Sequence, residues 1–345
     1  MNQNNIYSFN KIDASAFKKA HQNMYNSKEI ILGIQQKNTT ALAKAITIIE
    51  SELDKHALMA EEILTACMPI SGNSIRIGIT GAPGVGKSTF IEAFGNYLIQ
   101  QKYKVAVLAV DPSSSLSKGS ILGDKTRMET LAKNNNVFIR PSASNNSLGG
   151  ISSKTYENII LCEATGFDII LIETVGVGQS EIEVYNITDF FLVLQLPNAG
   201  DELQGIKRGI IELADAIVIN KADGEFINTA NQSKIAFRNA LQLFGCKENG
   251  WQPKTLTASA LQQNGIQEVW QTIQEFVQQT KNNSSFHEKR IQQQEDLFFK
   301  RLKTEIQKQF FKQNTHNKNI TQQLLRFKNK EVSLNKAIQS ILSKP

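Results

Sequence analysis

The run from Gly81 to Ser88 reads GAPGVGKS and matches the phosphate-binding loop pattern G-x-x-x-x-G-K-[ST] at every fixed position. Its glycines allow backbone conformations in which successive N–H groups point at phosphate oxygens. Lys87 adds a positive charge near the β- and γ-phosphates, and the Ser88 hydroxyl is a ligand for Mg²⁺. We therefore predict a nucleoside triphosphate site made by Gly81, Ala82, Pro83, Gly84, Val85, Gly86, Lys87, Ser88 and Thr89.

A second motif, Asn220-Lys-Ala-Asp223, matches the guanine-recognition pattern N-K-x-D. An aspartate accepts two hydrogen bonds from the N1–H and the amino group of guanine, whereas adenine offers no such donor pair. Asn220 and Lys221 would brace the loop and the base. We predict GTP and GDP as ligands, with a closing loop of Ser259, Ala260 and Leu261 that gives a backbone N–H to the guanine carbonyl oxygen.

Three acidic residues are candidates for magnesium and catalysis: Asp111, Asp124 and Glu173. Mg²⁺ prefers octahedral oxygen ligands and keeps several waters, so one or two carboxylates with Ser88 and the phosphates suffice. Taken singly, Asp111 is equally consistent with a helix cap and Asp124 with a solvated loop charge. No separate nucleophile is present, so we expect attack by water, aided by Mg²⁺ and Lys87.

Two arginines, Arg127 and Arg140, are candidates for stabilising the transition state. Ordinary ion pairing is the favoured interpretation for each. The four histidines lie outside the motifs, and we assign them no chemistry.

Short apolar runs alternate with longer segments from residue 75 onward, which is typical of parallel strands buried on both faces. They predict an α/β fold of the P-loop NTPase class, with a doubly wound, mostly parallel sheet and helical extensions at both ends. Ligands of such sheets bind at the carboxyl ends of the strands. The predicted strands are 75–80, 105–110, 137–140, 167–172, 190–194, 216–219 and 255–258.

We predict three regions: an N-terminal helical region over 1–70, a GTPase domain over 71–280, and a C-terminal helical region over 281–345. In the first region, Leu42 and Ile46 lie on one helical face, with Thr39 or Thr40 as the N-cap. The turn-forming stretch 69–74 is expected to be a linker. In the last region, apolar residues recur every fourth position and predict a helix with one apolar stripe, at Phe298, Leu302, Ile306 and Phe310. The pattern is equally consistent with packing of this stripe on its own domain and on a second subunit.

Charge and cysteine content indicate which partners and which compartment to expect for this protein. Residues 286–345 hold 13 Lys plus Arg against 5 Asp plus Glu, a balance of +8, so the rest of the +6 chain carries −2. Because no motif that combines aromatic and basic residues accompanies this positive charge, we interpret the basic stretch as a solvated helical face and expect no nucleic-acid partner.

The three cysteines are widely spaced, which indicates neither a disulfide framework nor a zinc site and is consistent with a cytoplasmic protein. Neither a secretory leader nor a membrane span is evident, so no membrane partner is expected.

Longer stretches resemble the MeaB/ArgK family, the methylmalonyl-CoA mutase-associated GTPases. The resemblance runs from about residue 30 to 270 and agrees in order and spacing over many positions. It is carried by VDPSS (110–114), GSILGDKTRM (119–128), FIRP (138–141), SLGG (147–150), ETVGVGQSE (173–181) and AGDELQGIK (199–207).

The resemblance implies a Mg²⁺-dependent GTPase that acts as a chaperone for an adenosylcobalamin-dependent mutase. It would gate cofactor delivery from an adenosyltransferase, help to remove damaged cofactor, and couple both to GTP hydrolysis. By the same resemblance, Asp111, Asp124 and Glu173 form the magnesium and catalytic group. Residues 176–181 and the loop after Pro197 would report the nucleotide state, and the C-terminal stripe would form a homodimer.

Two alternatives stay open. One is the older family label, an ATPase or kinase that serves basic amino-acid transport, against which the guanine motif speaks. The other is a GTPase that inserts nickel into a metalloenzyme, although the chain lacks Cys and His ligands near the site. Three positions depart from the family pattern without removing a proposed contact: Lys118, Gln195 and Asn198.

Overall fold

The structure is a computed structural model that describes residues 26–51, 53–111, 128–143, 151–174, 180–198, 208–314 and 318–342. Within these ranges, every strand of the sheet pairs in parallel with its neighbours. The seven strands are β1 (Ile75–Gly81), β2 (Val105–Asp111), β3 (Val137–Ala143), β4 (Ile169–Thr174), β5 (Phe190–Gln195), β6 (Ala216–Ile219) and β7 (Lys254–Thr257).

The spatial order of the strands is β3-β2-β4-β1-β5-β6-β7. The strand that leads into the phosphate loop, β1, therefore lies in the middle of the sheet, between β4 and β5. The order reverses there: from β1 the chain goes outward on one side through β2 and β3, returns to place β4 next to β1, and then goes outward on the other side through β5, β6 and β7. This arrangement confirms the predicted doubly wound α/β sheet and makes the carboxyl end of β1 a topological switch point, where such sheets bind ligands.

Helices flank the sheet and continue beyond it, as predicted for both ends of the chain. The helices within the described residues are α1 (Ser27–Gln35), α2 (Thr39–Glu50), α3 (Asp54–Cys67), α4 (Lys87–Gln100), α5 (Glu129–Ala132), α6 (Ile151–Ala164), α7 (Ser180–Tyr185), α8 (Arg208–Leu213), α9 (Ile227–Phe244), α10 (Ile266–Asn282), α11 (Ser285–Asn314), α12 (Lys318–Lys328) and α13 (Leu334–Leu342). None of these helices combines the length and apolar character needed to cross a bilayer.

Two apolar cores form, one on each face of the sheet. One core joins residues of α1–α3, α6, α7 and α9 to alternate residues of β2, β4 and β5, such as Ile172 and Val193. The other joins α4 and α10 to the opposite residues of the central strands, such as Ile79 and Leu192. Period-two alternation sends neighbouring strand residues to opposite faces, which is why both faces need a cover of helices.

The N-terminal helices belong to the first of these cores. Leu42 and Ile46 are fully buried, as their helical spacing predicts. The predicted cap at Thr39 or Thr40 is wrong: Asn38 is the N-cap, and its side chain accepts from the backbone N–H of Thr40 at 2.8 Å and of Ala41 at 3.2 Å. Asparagine is at least as favourable an N-cap residue as threonine. Which of these neighbouring residues is the cap therefore depends on the residue at which the helix begins.

The predicted linker at 69–74 is tied down on several sides. The Gly72 N–H donates to Glu163 at 2.8 Å, and the same carboxylate pairs with the buried guanidinium of Arg76 at 2.8 Å. Arg290 donates to the carbonyls of Gly72 at 2.5 Å and Ser74 at 2.6 Å. Because these partners come from α6, β1 and α11, the segment is a junction rather than a loose connection.

The chain divides into two compact units, residues 1–290 and 291–345. The second unit contains most of α11 with α12 and α13. Phe298, Leu302 and Ile306 of the predicted stripe are 63%, 42% and 57% exposed, so that unit leaves an apolar surface uncovered. The predicted region boundaries at residues 70 and 280 stay predictions.

Candidate nucleotide-binding site

The phosphate loop connects the carboxyl end of β1 to the first turn of α4. Gly86, the residue before α4, has φ +92° and lies where a Cβ would come within 3.0 Å of the Asn220 amide nitrogen. Gly81 has φ +154°, and a Cβ there would lie 2.6 Å from the Leu194 carbonyl oxygen. Both positions therefore require glycine for conformation and for space. Ala82, Pro83 and Gly84 are exposed at the loop tip, and Val85 is buried beneath them.

Side-chain donors occupy four carbonyl groups of the loop. Lys87 Nζ donates to Gly81 O at 2.7 Å and to Ala82 O at 3.2 Å. From the guanine motif, Lys221 Nζ donates to Gly84 O at 2.8 Å and Asn220 Nδ2 to Val85 O at 2.9 Å. The two motifs therefore form a single site. The Val85 N–H also donates to Ala82 O at 3.2 Å, so these bonds hold the loop in one conformation at the N-terminus of α4, where an anion binds favourably.

Lys87 is only 9% exposed, and its surroundings act on its charge in opposite directions. Burial lowers the pKa of the Lys87 ammonium group below its ordinary value, while the carboxylates of Glu173 and Glu181 act to raise it. A buried cation flanked by carboxylates keeps its proton more readily than one without them. Two acidic residues from different elements thus help to keep the loop lysine charged.

The base-recognition loop is closed by hydrogen bonds between two neighbouring strand ends. Ala222 N–H donates to Ala258 O at 3.0 Å, and Ala260 N–H donates to Asn220 Oδ1 at 3.3 Å. The Ser259 hydroxyl donates to the Asp223 carboxylate. Since β6 and β7 are adjacent in the sheet, their carboxyl ends bring Asp223 and the predicted closing loop together. Within that loop Ser259 and Ala260 are buried, and Leu261 is 81% exposed.

One predicted metal ligand pair is assembled. Ser88 Oγ donates to Glu173 Oε1 at 3.3 Å, which places a hydroxyl and a carboxylate beside the phosphate loop. Both are hard oxygen donors of the kind that Mg²⁺ prefers, so these residues fit the ion. Asp111 ends β2, two strands from β1, but its side chain and the whole of Asp124 lie outside what the structure describes. Among the described residues, no group of three or more potential metal-binding side chains occurs.

Other candidates are placed away from the loop or outside the described ranges. Thr89 is exposed on the first turn of α4. Arg140 forms the ion pair favoured from its sequence context, 2.5 Å from Glu50 of α2. Arg127 and Lys118 lie outside the described residues, as does most of the loop after Pro197. Gln195, the departure in β5, is buried at the end of that strand.

Glu181 is the last residue of the segment 176–181, which the resemblance implies reports the nucleotide state, but the sequence did not single it out. The structure buries this residue to 1% exposure in the first turn of α7, and its charge acts on Lys87. An acidic residue in the first turn of a helix is ordinarily exposed to solvent. Only the position of α7 beside the sheet, which the sequence does not give, shows that Glu181 is buried.

Comparisons with known proteins agree with this geometry. Residues 42–315 match the family model described as methylmalonyl Co-A mutase-associated GTPase MeaB. The GTPase ArgK of Escherichia coli is 44% identical over 88% of this chain and 92% of its own length. The mouse protein named methylmalonic aciduria type A homolog, mitochondrial, is 46% identical over 72% of this chain and 62% of its own length.

A solved structure, described as the LAO/AO transport system kinase, superposes with a TM-score of 0.76 at 37% identity. It covers 93% of this chain and 98% of that one. The two folds therefore agree over nearly the whole of this chain. On the family match, the curated relatives and the joined phosphate and guanine motifs, the chain belongs to the MeaB family and is a GTPase.

Proposed function

We propose that this protein is a Mg²⁺-dependent GTPase that acts as a chaperone for an adenosylcobalamin-dependent mutase of the methylmalonyl-CoA type. The observation that carries the nucleotide assignment is the joining of the two motifs, in which Asn220 and Lys221 hold the phosphate loop next to Asp223. Recognition of the guanine base at Asp223 is thereby coupled to binding of the phosphates at residues 81–88.

Each residue of the site has a separate task in this proposal. The backbone N–H groups of 81–88 and the Lys87 ammonium group bind and neutralise the β- and γ-phosphates. Asp223 accepts from the guanine N1–H and amino group, and the Ala260 segment faces the guanine carbonyl oxygen. Ser88 and Glu173 would hold Mg²⁺, together with Asp111 and Asp124, and the bound ion would supply charge neutralisation.

Hydrolysis then depends mainly on positioning. Glu173 is the next-to-last residue of β4, directly beside β1, and its Oε1 lies 3.3 Å from Ser88 Oγ, so its carboxylate lies next to the phosphate-binding loop. From there it can orient a water molecule for in-line attack. Lys87 then neutralises the charge that develops on the phosphoryl oxygens.

The link to a mutase is supported by names given to relatives. The matching family model is described as mutase-associated, and the mouse relative is named for methylmalonic aciduria. We infer that nucleotide turnover gates delivery of adenosylcobalamin from an adenosyltransferase and removal of damaged cofactor. A cytoplasmic location, which the free cysteines support, is part of the same proposal.

The kinase or ATPase alternative draws on the name given to the similar solved structure. The Asp223 carboxylate beside Ser259 argues for guanine instead, because it presents acceptors where adenine has no donor pair. For the nickel-insertion alternative, the described residues contain no cluster of metal-binding side chains.

The nucleotide assignment is tested by two substitutions. Lys87→Ala removes the phosphate-neutralising charge and should abolish GTP hydrolysis; unchanged turnover would refute the assignment. Asp223→Asn should weaken GTP binding and strengthen xanthosine triphosphate binding, since the amide donates where the carboxylate accepted. Asp54→Asn, at an exposed helix start, is the control and should leave base preference unaltered.

The partner is tested with a purified adenosylcobalamin-dependent methylmalonyl-CoA mutase. Calorimetry with GDP and with a non-hydrolysable GTP analogue should show binding whose affinity depends on the nucleotide. Absence of binding in both states would contradict the chaperone role while leaving the GTPase assignment intact.

We also propose a homodimer through the stripe of α11, since Phe298, Leu302 and Ile306 are exposed. Such uncovered apolar surface is typical of interfaces. Phe298→Lys with Leu302→Lys should give a monomer by light scattering. Leu243→Lys, at a leucine of α9 that is 89% exposed, is the matched control and should not change the mass.

A further inference from the structure

The loop that closes the guanine site, residues 259–264, is a short hairpin that begins just after β7. The Ser259 N–H donates to Asn264 O at 2.9 Å, and the Asn264 N–H donates back to Ser259 O at 3.1 Å. Inside the hairpin, the Gln262 N–H donates to Ser259 Oγ at 3.1 Å. Because the Ser259 hydroxyl also donates to the Asp223 carboxylate, the shape of the hairpin fixes the orientation of that carboxylate.

Gly265 follows the hairpin directly and is the N-cap of α10, with φ +77°. A Cβ on this residue would collide with Thr257 O, and it would lie 2.9 Å from Ala258 Cα and 3.2 Å from Ala258 Cβ. The collision is with the backbone, which cannot rotate away as the end of a side chain does. The start of α10 therefore lies directly against the end of β7, and only a glycine leaves room for this approach.

Of the two elements that meet at Gly265, the helix is held more firmly. Ile266, Val269 and Trp270 in the first turns of α10 are at most 3% exposed and belong to the core on that face of the sheet. The hairpin follows β7, which is half-buried at the edge of the sheet, and residues 261–264 are exposed. Because a close-packed core resists displacement, an atom inserted between the two should move the hairpin rather than the helix.

We propose that Gly265 is a positioning residue for guanine specificity: the absence of its side chain lets α10 hold the hairpin where Ser259 orients Asp223 for the base. The inference deepens the proposed function and rests on it, because it needs Asp223 to bind the base. It makes the packing of α10 against β7, outside both nucleotide motifs, a determinant of which base is bound.

The expected consequence concerns the second hydrogen bond between Asp223 and the base. Guanine presents two donors to the carboxylate, the N1–H and the 2-amino group, whereas hypoxanthine presents only the N1–H. A two-donor contact needs both carboxylate oxygens in the plane of the base, so it is lost when the carboxylate turns. A displaced hairpin should therefore weaken binding of guanine nucleotides more than binding of inosine nucleotides.

Gly265→Ala in the full-length protein tests this consequence. By calorimetry with Mg²⁺, the affinity for GDP should fall by roughly tenfold, as for the loss of one hydrogen bond to a charged group, and the affinity for IDP by less than about threefold. The KM for GTP should rise while kcat stays within about twofold, because contacts to the base are the same in the ground state and the transition state.

Gly250→Ala is the matched control. Gly250 has φ +76°, almost the same as Gly265, but a Cβ there would meet nothing closer than Gln279 Nε2 at 3.6 Å. The control therefore carries the same backbone strain without the collision. It should keep the wild-type affinities for GDP and IDP.

Amide hydrogen exchange of the peptide covering residues 256–264 measures the hairpin without any nucleotide. Gly265→Ala should speed this exchange by roughly tenfold, because the two bonds between Ser259 and Asn264 open more often. Gly250→Ala should leave it unchanged. Urea unfolding of Gly265→Ala should remain a single cooperative transition, since the displacement is confined to the hairpin.

The inference is overturned by unchanged exchange in Gly265→Ala or by an unchanged ratio of GDP to IDP affinity. Loss of the cooperative unfolding transition also overturns it, because the displacement then reaches beyond the hairpin. A wild type that binds GDP and IDP equally contradicts the proposed role of Asp223, and the inference about specificity fails with it. If the wild type prefers GDP and Gly265→Ala prefers it equally, the inference about Gly265 fails alone.

Discussion

Asn220 lies where the guanine motif supports the phosphate loop, and its loss should destabilise the fold as well as the site. The residue is 1% exposed. Its Nδ2 donates to Val85 O at 2.9 Å, and its Oδ1 accepts from Ala260 N at 3.3 Å. Asn220→Ala removes both bonds and leaves a carbonyl and an amide without their partners under a buried surface.

The magnitude follows from those two groups. Leaving a buried polar group unsatisfied costs about 1–3 kcal/mol. The unpaired Ala260 N–H should cost an amount in the lower part of this range, because its bond to Asn220 is longer and weaker. The unpaired Val85 carbonyl should cost an amount near the middle, because its bond is shorter. We therefore expect the free energy of unfolding to fall by about 3 kcal/mol.

Urea unfolding followed by tryptophan fluorescence measures this loss. Both tryptophans of the chain, Trp251 and Trp270, are buried in the unit that contains the site. The midpoint should fall with an unchanged slope. Asn239→Ala, on the exposed side of α9, is the control and should change stability by less than about 0.5 kcal/mol. A loss below about 1 kcal/mol for Asn220→Ala would refute the bracing role.

Glu163→Gln should lower the free energy of unfolding by about 3–5 kcal/mol, since the carboxylate accepts from Arg76 and its removal leaves a buried cation; a smaller change in the same urea assay would show that the pair is dispensable. Thiol reactivity gives a second prediction. Burial raises the pKa of Cys67 to about 11 and also raises that of Cys162, whereas Cys246 is exposed. Ellman's reagent should therefore label one thiol rapidly in the native protein and three after denaturation, and two fast thiols would contradict the described burial.

Much of the fold was predictable from local pattern. Each of the first six predicted strands is a strand, because strands buried on both faces need mostly apolar sequence. The predicted last strand at 255–258 corresponds to β7, which is half-buried at the edge of the sheet. Predictions that depend on the identity of a single residue, such as the N-cap of a helix, were less accurate. The cap of α2 is Asn38 rather than a threonine, because neighbouring polar residues compete on nearly equal terms for the same backbone groups.

The sequence alone determined the chemistry of the individual motifs, since the spacing within Gly81–Ser88 and Asn220–Asp223 is short enough for local geometry to dictate function. It also determined the parallel sheet that brings strand ends to one edge. Only the tertiary structure decided which groups meet there. Asn220 reaches Val85 across 135 positions of sequence, and Ser88 meets Glu173 across 85 positions. Such contacts depend on the order of strands in the sheet, which no local pattern encodes.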